Sequence, residues 1–187
     1  MFRELLVREF APYGSLTVGQ IDALEAHYKL LTQWNARLNL TRIESVEDAV
    51  RLHYCESLLV GAKLPAGSLR IIDVGSGAGF PGIPIAILRP ECEITLVESH
   101  QRKGVFLREA SRHLECVKVV TDRAENLKAA YDWLVSRAVS PKDILKLNLA
   151  NNLALLMGSE EVPGCEQREA LPWGTGRYLV FHVKHPC

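Results

Sequence analysis

The residues with the clearest chemical potential lie in the segment Ile71–Gly82, where an acid and a series of glycines follow an apolar run. The run Arg70–Val74 predicts a buried strand that carries Asp73 close to its end. Three glycines follow at alternate positions, and they are Gly75, Gly77 and Gly79. Glycine lets the backbone approach a ligand closely or adopt positive φ angles, and Pro81 suits the first turn of a helix. A strand, a glycine loop and a helix in this order form nucleotide sites at the carboxyl ends of parallel strands.

This glycine loop fits two classes of ligand. Gly77–Gly82 has the form G-x-G-x-x-G, which is the fingerprint of dinucleotide-binding proteins. Asp73–Gly79 has the form D-x-G-x-G-x-G, which is the pattern of S-adenosylmethionine-dependent methyltransferases. The second interpretation is favoured, because the Asp73 carboxylate can approach a methionyl ammonium group directly or through water. In the dinucleotide interpretation two extra residues separate the strand from its first glycine, and a glycine turn without any ligand is the third possibility.

Glu98 indicates a nucleoside beside this loop. It ends the predicted strand Glu93–Glu98, which should lie next to the strand that carries Asp73. A carboxylate at this point can accept hydrogen bonds from both ribose hydroxyls of a nucleoside. A solvated acid is the simpler explanation of Glu98 alone, but the neighbouring glycine loop makes the nucleoside the better one. Glu98 does not distinguish nicotinamide dinucleotides from S-adenosylmethionine.

Polar residues also follow two other predicted strands. Asp122–Glu125 comes after Val117–Val120, where backbone groups or an acid can recognise the edge of adenine. A helix N-terminus, whose dipole favours acids, explains this segment equally well. Ser136–Ala138 comes after the predicted strand Tyr131–Val135, where a methyl donor would meet its acceptor. Its Arg137 can bind a phosphate or a carboxylate in bidentate fashion, and a surface salt bridge is the alternative.

The elements that must position these residues divide the chain into an N-terminal helical section and a section in which strands and helices alternate. Residues 1–60 predict a helical cap, in which Thr17 and Gln20 have the spacing of a capping box. From residue 69 onward strands and helices alternate, which predicts a mainly parallel sheet with helices on both faces. We therefore expect a single α/β domain with the cap over 1–60 and a Rossmann-like core over 69–187.

The boundaries of these elements follow from apolar runs and the polar residues that flank them. Besides the strands already given, the expected strands are Leu153–Met157 and Arg177–Lys184. The expected helices that follow the first long helix are Ser45–Leu59 (with Val46 as the alternative start), Pro81–Leu88, Arg102–Leu114 and Asp143–Leu149. The stretch Gly158–Gly174 shows neither the pattern of a helix nor that of a strand.

The composition excludes several classes of protein. Of the 187 residues 48% are hydrophobic, so the chain can bury the core of one domain. Lys plus Arg equals Asp plus Glu at 22 each, which argues against binding nucleic acid by bulk charge but allows a local basic patch. No apolar run approaches the roughly 20 residues that span a bilayer, so no membrane partner is expected.

The cysteines argue against a disulfide framework and against a zinc site. There are five of them, scattered and without a C-x-x-C pair, and they are Cys55, Cys92, Cys116, Cys165 and Cys187. We therefore expect no bound metal, and we expect a reducing, cytoplasmic compartment.

Ten segments of the chain carry a resemblance to a known family. They are Trp34–Asn35, Asn39–Thr41, Arg51–His53 with Ser57, Asp73–Pro84, Val97–Ser99, Arg102–Lys103, Phe106–Leu107, Arg123–Glu125, Ser136–Ala138 and Arg177–Val180. These segments resemble the GidB family of bacterial 16S ribosomal RNA guanine-N7 methyltransferases. The resemblance implies a Rossmann-like class I methyltransferase fold, and methyl transfer from S-adenosylmethionine to guanine N7 in the decoding-region loop. It also implies that 16S ribosomal RNA or the small ribosomal subunit is the partner, and that the protein is a cytoplasmic monomer.

The resemblance further implies roles for single residues. The positions that match the family's S-adenosylmethionine contacts are Gly75, Phe80, Glu98, Ala124, Glu125 and Arg137, and the loop residues Asp73, Gly77 and Gly79 join them. The positions that match basic residues of its catalytic and RNA-facing cleft are Arg123, Arg137 and Arg177. Met157 departs from the family, whose members usually carry a lysine there. This departure leaves reduced or altered activity open, and an apolar strand end is the simpler interpretation of Met157.

The implied reaction needs no general base, because guanine N7 carries a lone pair and no proton. We expect catalysis to depend on alignment and electrostatics, with arginines facing a phosphate or guanine O6. The sequence leaves three other functions open. They are methyl transfer to another substrate, nicotinamide-dependent oxidation or reduction, and RNA binding by a homologue that has lost its chemistry.

Overall fold

A computed structural model of the protein describes residues 1–42, 45–164 and 167–183. Its strands, in chain order, are β1 (Arg70–Val74), β2 (Glu93–Val97), β3 (Val117–Val120), β4 (Trp133–Arg137), β5 (Asn152–Met157), β6 (Gln167–Ala170) and β7 (Tyr178–Val183). Its α-helices are α1 (Phe2–Phe10), α2 (Val18–Leu38), α3 (Val46–Ala49), α4 (Glu56–Lys63), α5 (Gly82–Leu88), α6 (Gln101–Ser111) and α7 (Pro141–Lys146). A π-helix joins α3 to α4 over Val50–Cys55, and a 3₁₀ turn covers Ala124–Asn126.

The strands form one sheet in the order β3-β2-β1-β4-β5-β7-β6. The pairs from β3 through β5 are parallel, whereas β7 runs antiparallel to both β5 and β6. The chain order reverses between β1 and β4, and ligands bind at such a switch point, outside the carboxyl ends of the strands. This topology confirms the predicted Rossmann-like α/β fold with its mainly parallel sheet.

Both faces of the sheet are covered, as the alternating side chains of β1 illustrate. Ile71 joins the apolar cluster that includes residues of α2, α4, α5 and α6, whereas Ile72 joins the cluster of α7 on the opposite face. Both isoleucines are fully buried, as is typical of a parallel strand between two layers of helices. Within the described ranges, no helix is long and apolar enough to cross a membrane.

The N-terminal helices are fastened to the core by packing and by hydrogen bonds. Thr17 and Gln20 form the predicted capping box at the start of α2. The Gln20 side-chain amide also donates to the carbonyl oxygens of Ile87 and Leu88, each at 3.2 Å, at the end of α5. Leu24 of α2 is fully buried in the apolar cluster that also contains Ile71 of the sheet. The cap therefore shares the core that supports β1.

The fourth strand begins later in the chain than the predicted Tyr131–Val135, because its hydrogen-bonded pairing with β5 begins only at Trp133. Tyr131 donates its N–H to the carbonyl oxygen of Leu149 at 2.8 Å, outside the ladder, and pairing with β5 begins at Trp133. Arg137 is consequently the last residue of β4, and the prediction that it follows the strand was wrong.

Several helix boundaries also differ from the prediction. The helix expected over Ser45–Leu59 continues to Lys63 and contains the π-helix, which apolar periodicity does not reveal. The helix expected to begin at Pro81 has this proline at its N-cap instead. The helices α6 and α7 end earlier than expected, at Ser111 and Lys146, because tight turns replace their last residues.

The strand β6 lies inside Gly158–Gly174, the stretch for which the sequence shows no pattern. All four of its residues are exposed at the edge of the sheet, so no alternation of apolar and polar residues marks it. The last expected strand is present as β7. Lys184, Cys165 and Cys187, on which sequence predictions were made, lie outside the described residues.

Candidate cofactor and substrate site

A cavity of about 240 Å³ lies at the carboxyl ends of the first four strands. Five of the predicted site residues line it, namely Gly75, Glu98, Arg123, Ala124 and Glu125. The cavity is smaller than the ~300–1,000 Å³ pockets that enclose whole drug-sized ligands. It therefore matches a nucleoside, and the rest of a larger ligand would lie outside it.

The glycine loop is fixed to the end of β2 by backbone hydrogen bonds. Gly75 and Ser76 donate their N–H groups to the carbonyl oxygen of Val97 at 2.9 and 3.1 Å. Gly75 has a φ of +74°, and a Cβ placed there would lie 2.7 Å from Cγ2 of Val139. Both the positive φ and this close approach require glycine. The bare backbone of Gly75 thus forms part of the cavity wall.

Glu98 is buried just after the end of β2, with 8% of its surface exposed. Its Oε2 accepts a hydrogen bond from the Gly77 N–H at 3.0 Å, and its Oε1 accepts one from the His100 N–H at 2.8 Å. Each carboxylate oxygen can accept a second hydrogen bond. Glu98 therefore holds the glycine loop and retains acceptors for two hydroxyl groups in the cavity.

The segment after β3 closes another side of the cavity. Asp122 Oδ1 accepts hydrogen bonds from the Arg123 N–H at 2.7 Å and from the Asn126 side-chain amide at 2.8 Å, which fixes the 3₁₀ turn. Ala124 is buried in this turn, whereas the side chains of Arg123 and Glu125 are exposed at the cavity. This arrangement is compatible with the predicted recognition of an adenine edge.

Asp73 lies behind the glycine loop rather than in the wall of the cavity. It is fully buried, and its Oδ2 accepts a hydrogen bond from the Gly82 N–H at 2.9 Å, at the start of α5. Its Oδ1 has no hydrogen-bond partner within the described residues. Burial raises the pKa of Asp73 to about 7, and the Gly82 N–H opposes this shift. Contact of Asp73 with a methionyl ammonium group stays a prediction, and Oδ1 is the atom available for it.

Asp73→Asn is expected to remove a pH dependence of folding stability. Because folding raises the pKa of this carboxyl to about 7, its stabilising contribution is fully present near pH 4 and is lost as the pH rises through 7. The contribution of Asp73 to the free energy of unfolding should therefore fall by up to about 4 kcal/mol between these limits. Urea unfolding at several pH values measures the slope. The exposed-site control Asp143→Asn should keep the wild-type slope, and an unchanged slope in Asp73→Asn would contradict this account.

Arg137, at the end of β4, is held by groups of the cap and of the glycine loop. Its Nη1 donates to the carbonyl oxygen of Leu52 at 3.1 Å and to Nδ1 of His53. Its guanidinium carbon lies 4.9 Å from the centre of the Phe80 ring, in a cation–π arrangement. Burial lowers the pKa of Arg137 to about 10, and Glu56 opposes the shift, so the side chain remains a cation at neutral pH.

Arg177 precedes β7 and forms an ion pair with Glu56. Its Nε and Nη2 donate to the two carboxylate oxygens at 2.5 and 2.6 Å, in bidentate geometry. Glu56 is fully buried, while 34% of the Arg177 side chain remains exposed. Burial raises the pKa of Glu56, and the hydrogen bonds from Arg177 oppose the shift. The carboxylates of Glu56 and Asp73 both act on the charge of Arg137. Arg123, by contrast, belongs to the wall of the first cavity.

A second cavity, of about 510 Å³, extends between the ends of β4 and β5. Val139 lines both cavities, so ligands in the two would meet at this residue. Ser140, Met157 and Glu160 also line the second cavity. Its position beside the first cavity suits an acceptor that receives a group from a donor bound there.

Comparison with known proteins identifies the family. Residues 20–158 match the family described as GidB, rRNA small subunit methyltransferase G. The chain belongs to the GidB family.

Curated relatives of this GidB chain carry the name ribosomal RNA small subunit methyltransferase G. The relative from Chromobacterium violaceum is 42% identical over 178 residues, which cover 91% of this chain and 85% of the relative. The relative from Methylobacillus flagellatus is 42% identical over 123 residues, which cover 64% of this chain and 59% of the relative. The matched segment thus spans less than two thirds of the second relative.

A solved structure supports the fold independently of these relatives. Fibrillarin from Aeropyrum pernix, in complex with natively bound S-adenosyl-L-methionine, superposes with a TM-score of 0.54 at 14% identity. The superposition covers 68% of this chain and 73% of that chain. At this identity the likeness shows the fold alone.

The residues of the GidB site fit S-adenosylmethionine on three structural observations. Glu98 retains acceptors for ribose hydroxyls beyond its bonds to the backbone. Gly75 provides a stretch of bare backbone that a Cβ would obstruct. Asp73 keeps a buried and unpartnered oxygen that a cationic ammonium group would satisfy.

The remaining predicted contacts lie under the loop rather than in the cavity wall. Gly77 donates its N–H to Glu98, as described. Phe80 is 1% exposed and supports Arg137 from below, so its role is to carry the loop and the arginine. Gly79 has a φ of +88°, and a Cβ there would lie 2.4 Å from Cδ1 of Ile83. These three residues shape the site without lining the cavity.

Gly75→Ala is expected to weaken the binding of S-adenosylmethionine by at least about tenfold. The new Cβ would lie 2.7 Å from Val139, and the positive φ would cost about 1–2 kcal/mol for a residue with a side chain. Equilibrium dialysis with the labelled cofactor measures the affinity. Gly19→Ala is the matched control, since a Cβ there meets nothing within 4 Å. Equal affinity of Gly75→Ala and the wild type would show that the loop does not contact the cofactor.

Glu56 and Val139 are site residues that the sequence analysis missed. The partner of Glu56 is Arg177, which lies 121 positions later, so no local sequence pattern predicts the ion pair. An acid within a largely apolar helical run, three positions after His53, is the signal that could have indicated it. Val139 is a site residue only because two cavities meet there, and its residue type gives no sign of that.

Proposed function

We propose that this protein transfers a methyl group from S-adenosylmethionine to N7 of a guanine in the decoding-region loop of 16S ribosomal RNA. The observation that carries the proposal is the meeting of the two cavities at Val139, next to the cationic end of β4. Membership in a family of small-subunit rRNA methyltransferases supports the choice of substrate. Binding of a nicotinamide dinucleotide is disfavoured by the small first cavity, which matches one nucleoside.

The residues of the chain would act by binding and alignment. S-adenosylmethionine supplies an electrophilic methyl group on a sulfonium. Glu98 would hold the ribose hydroxyls, and the segment Arg123–Glu125 would flank the adenine. Because guanine N7 has a free lone pair, no side chain has to remove a proton, and rate enhancement depends on the aligned approach of the two groups.

Arg137 at the end of β4 and Arg177 before β7 would contact the RNA that accepts the methyl group. Methyl transfer places positive charge on the purine, so Arg137 and Arg177 would face a phosphate or guanine O6 rather than the alkylated nitrogen. RNA offers such groups when a base is unstacked from an irregular loop. The part of the Arg177 side chain that remains exposed beside Glu56 suits this role.

We further propose that the partner is 16S ribosomal RNA, free or within the small ribosomal subunit. On this proposal the protein acts in the cytoplasm as a monomer without a membrane partner. The cap over 1–60 and the core over 69–187 would act as a single methyltransferase domain, because they share one apolar cluster.

A second candidate is RNA binding without efficient chemistry. Met157 lines the second cavity at the position where the resembling family usually carries a lysine. A thioether provides no positive charge for an RNA phosphate. This candidate predicts RNA binding with turnover far below that of a relative that has the lysine, and Met157→Lys would then raise the rate.

The experiment that tests the proposal is transfer of a labelled methyl group. The protein is incubated with radiolabelled S-adenosylmethionine and with either small subunits or naked 16S RNA that lack the modification. We expect label in the RNA of at least one of these substrates. Label in neither would refute the proposed reaction, and label in protein or small molecules of a cell extract would favour another substrate.

A further inference from the structure

A buried histidine of the cap connects the π-helix to Arg137. His53 is 6% exposed, and its Nε2 lies 2.7 Å from Oγ1 of Thr41. Its Nδ1 contacts Nη1 of Arg137, and its ring stacks on Phe80 with centroids 4.7 Å apart. His53 therefore touches both the side chain beneath Arg137 and the guanidinium itself.

The contact with Arg137 determines which nitrogen of His53 carries the proton. A guanidinium donates and never accepts, so Nδ1 must be the acceptor. The proton of the neutral ring is then on Nε2, from which it is donated to Thr41. Burial, followed by the charge of Arg137, holds the pKa of His53 well below its usual value, in agreement with a neutral ring.

These contacts leave one side of the Arg137 guanidinium available. Both hydrogens of Nη1 are directed to the protein, one to Leu52 and one to His53. In the described part of the chain, Nε and Nη2 donate to no protein group, and together they form the fork that binds anions in bidentate fashion. The orientation of this fork is set by the groups that hold Nη1.

The π-helix provides these groups in register. It spans Val50–Cys55, and the carboxylate of Glu56 follows it directly. His53 and Glu56 are three positions apart, and they contact Arg137 and Arg177 respectively. Short π-helical segments are rare and occur frequently at functional sites. Here the segment presents His53 to Arg137, and the residue that follows it, Glu56, is the acceptor for Arg177.

We propose that His53 is a positioning residue for methyl transfer, which orients the free fork of Arg137 through Nδ1. The inference rests on the proposed function, since Arg137 is taken to contact the reactants. Loss of Nδ1 would leave Arg137 charged, with only the Leu52 carbonyl and the Phe80 ring, among the described residues, to hold its guanidinium. A misplacement of about 1 Å can cost about 100-fold in rate.

A second buried histidine provides a matched control. His27 is 3% exposed and also packs against Phe80, at 5.3 Å between ring centroids. Its ring nitrogens contact the Tyr54 hydroxyl and the carbonyl oxygen of Ala78, not an arginine. Loss of either imidazole should therefore lower stability, while only loss of His53 should disturb Arg137.

The test compares three substitutions of His53 that differ in which ring nitrogen they imitate. His53→Asn places an oxygen near the position of Nδ1, His53→Gln reaches the position of Nε2, and His53→Phe keeps the stacked ring without nitrogens. We expect kcat of His53→Phe and His53→Gln to fall by about 100-fold, and that of His53→Asn to remain within about tenfold of the wild type. His27→Phe should show a lower melting temperature with kcat near that of the wild type, at saturating cofactor.

The outcomes separate this inference from the function on which it rests. No labelled RNA from the wild-type protein would refute the proposed function. Wild-type product together with unchanged kcat in folded His53→Phe, or equal losses in His53→Asn and His53→Gln, would overturn the positioning role alone. Nitrogen-15 NMR of His53 gives a readout without turnover, and a proton on Nδ1 instead of Nε2 would also overturn it.

Discussion

Replacing Arg137 by alanine is expected to lower the rate of methyl transfer by about 100-fold, the effect of removing one preorganised donor from a catalytic site. Arg137 directly precedes Ala138 and Val139, which line the second cavity. Its Nε and Nη2 are the donors available to a phosphate or to guanine O6. Single-turnover transfer of labelled methyl to RNA measures the rate.

Two further variants separate the role of this guanidinium from folding and from general charge. Arg137→Lys keeps the positive charge but lacks the planar fork, so its rate should lie between those of the wild type and the alanine variant. Arg112→Ala removes an arginine whose side chain is 59% exposed after α6, and it should leave the rate unchanged. Full activity of a folded Arg137→Ala protein, checked by its melting temperature, would remove Arg137 from the site.

Glu98→Ala is expected to weaken S-adenosylmethionine binding by about 100-fold. Hydrogen bonds to a charged group contribute about 1.5–3 kcal/mol each, and two ribose hydroxyls would lose their acceptor. The loop would also lose its anchor, because Gly77 and His100 donate to this carboxylate. Isothermal titration calorimetry with the cofactor measures the dissociation constant.

The same strand provides the control for Glu98. Glu93 is an exposed acid at the opposite end of β2, so Glu93→Ala should bind the cofactor as the wild type does. Glu98→Gln keeps one acceptor oxygen and should lie between the two. An affinity of Glu98→Ala within about twofold of the wild type would show that the nucleoside lies elsewhere.

The parts of the site that the sequence predicted are the local ones. The glycine loop lies within ten residues of Asp73, and its strand, turn and helix follow from apolar runs and from glycine positions. Glu98 was predicted because the carboxyl ends of adjacent parallel strands meet at one edge. The capping box at Thr17 was equally local, since the side chains and backbone N–H groups of two residues three positions apart form it.

The parts that the sequence did not predict depend on tertiary contacts. The end of β4 was misplaced because its ladder depends on pairing with β1 and β5, and Arg137 was therefore expected after the strand. The ion pair of Glu56 with Arg177 joins the cap to the last strand across most of the chain. The hydrogen bond that the buried Asp73 carboxylate accepts from the Gly82 N–H also had no sequence signal.

The most direct test of the central claim is nucleoside analysis of the methylated RNA. Small subunits that lack the modification are incubated with the protein and S-adenosylmethionine, and the RNA is digested and separated by liquid chromatography with mass detection. We predict one 7-methylguanosine per 16S RNA, within a fragment of the decoding-region loop, and its loss with Arg137→Ala. A methyl group on another base, on another atom of guanine, or on no RNA at all would contradict the account.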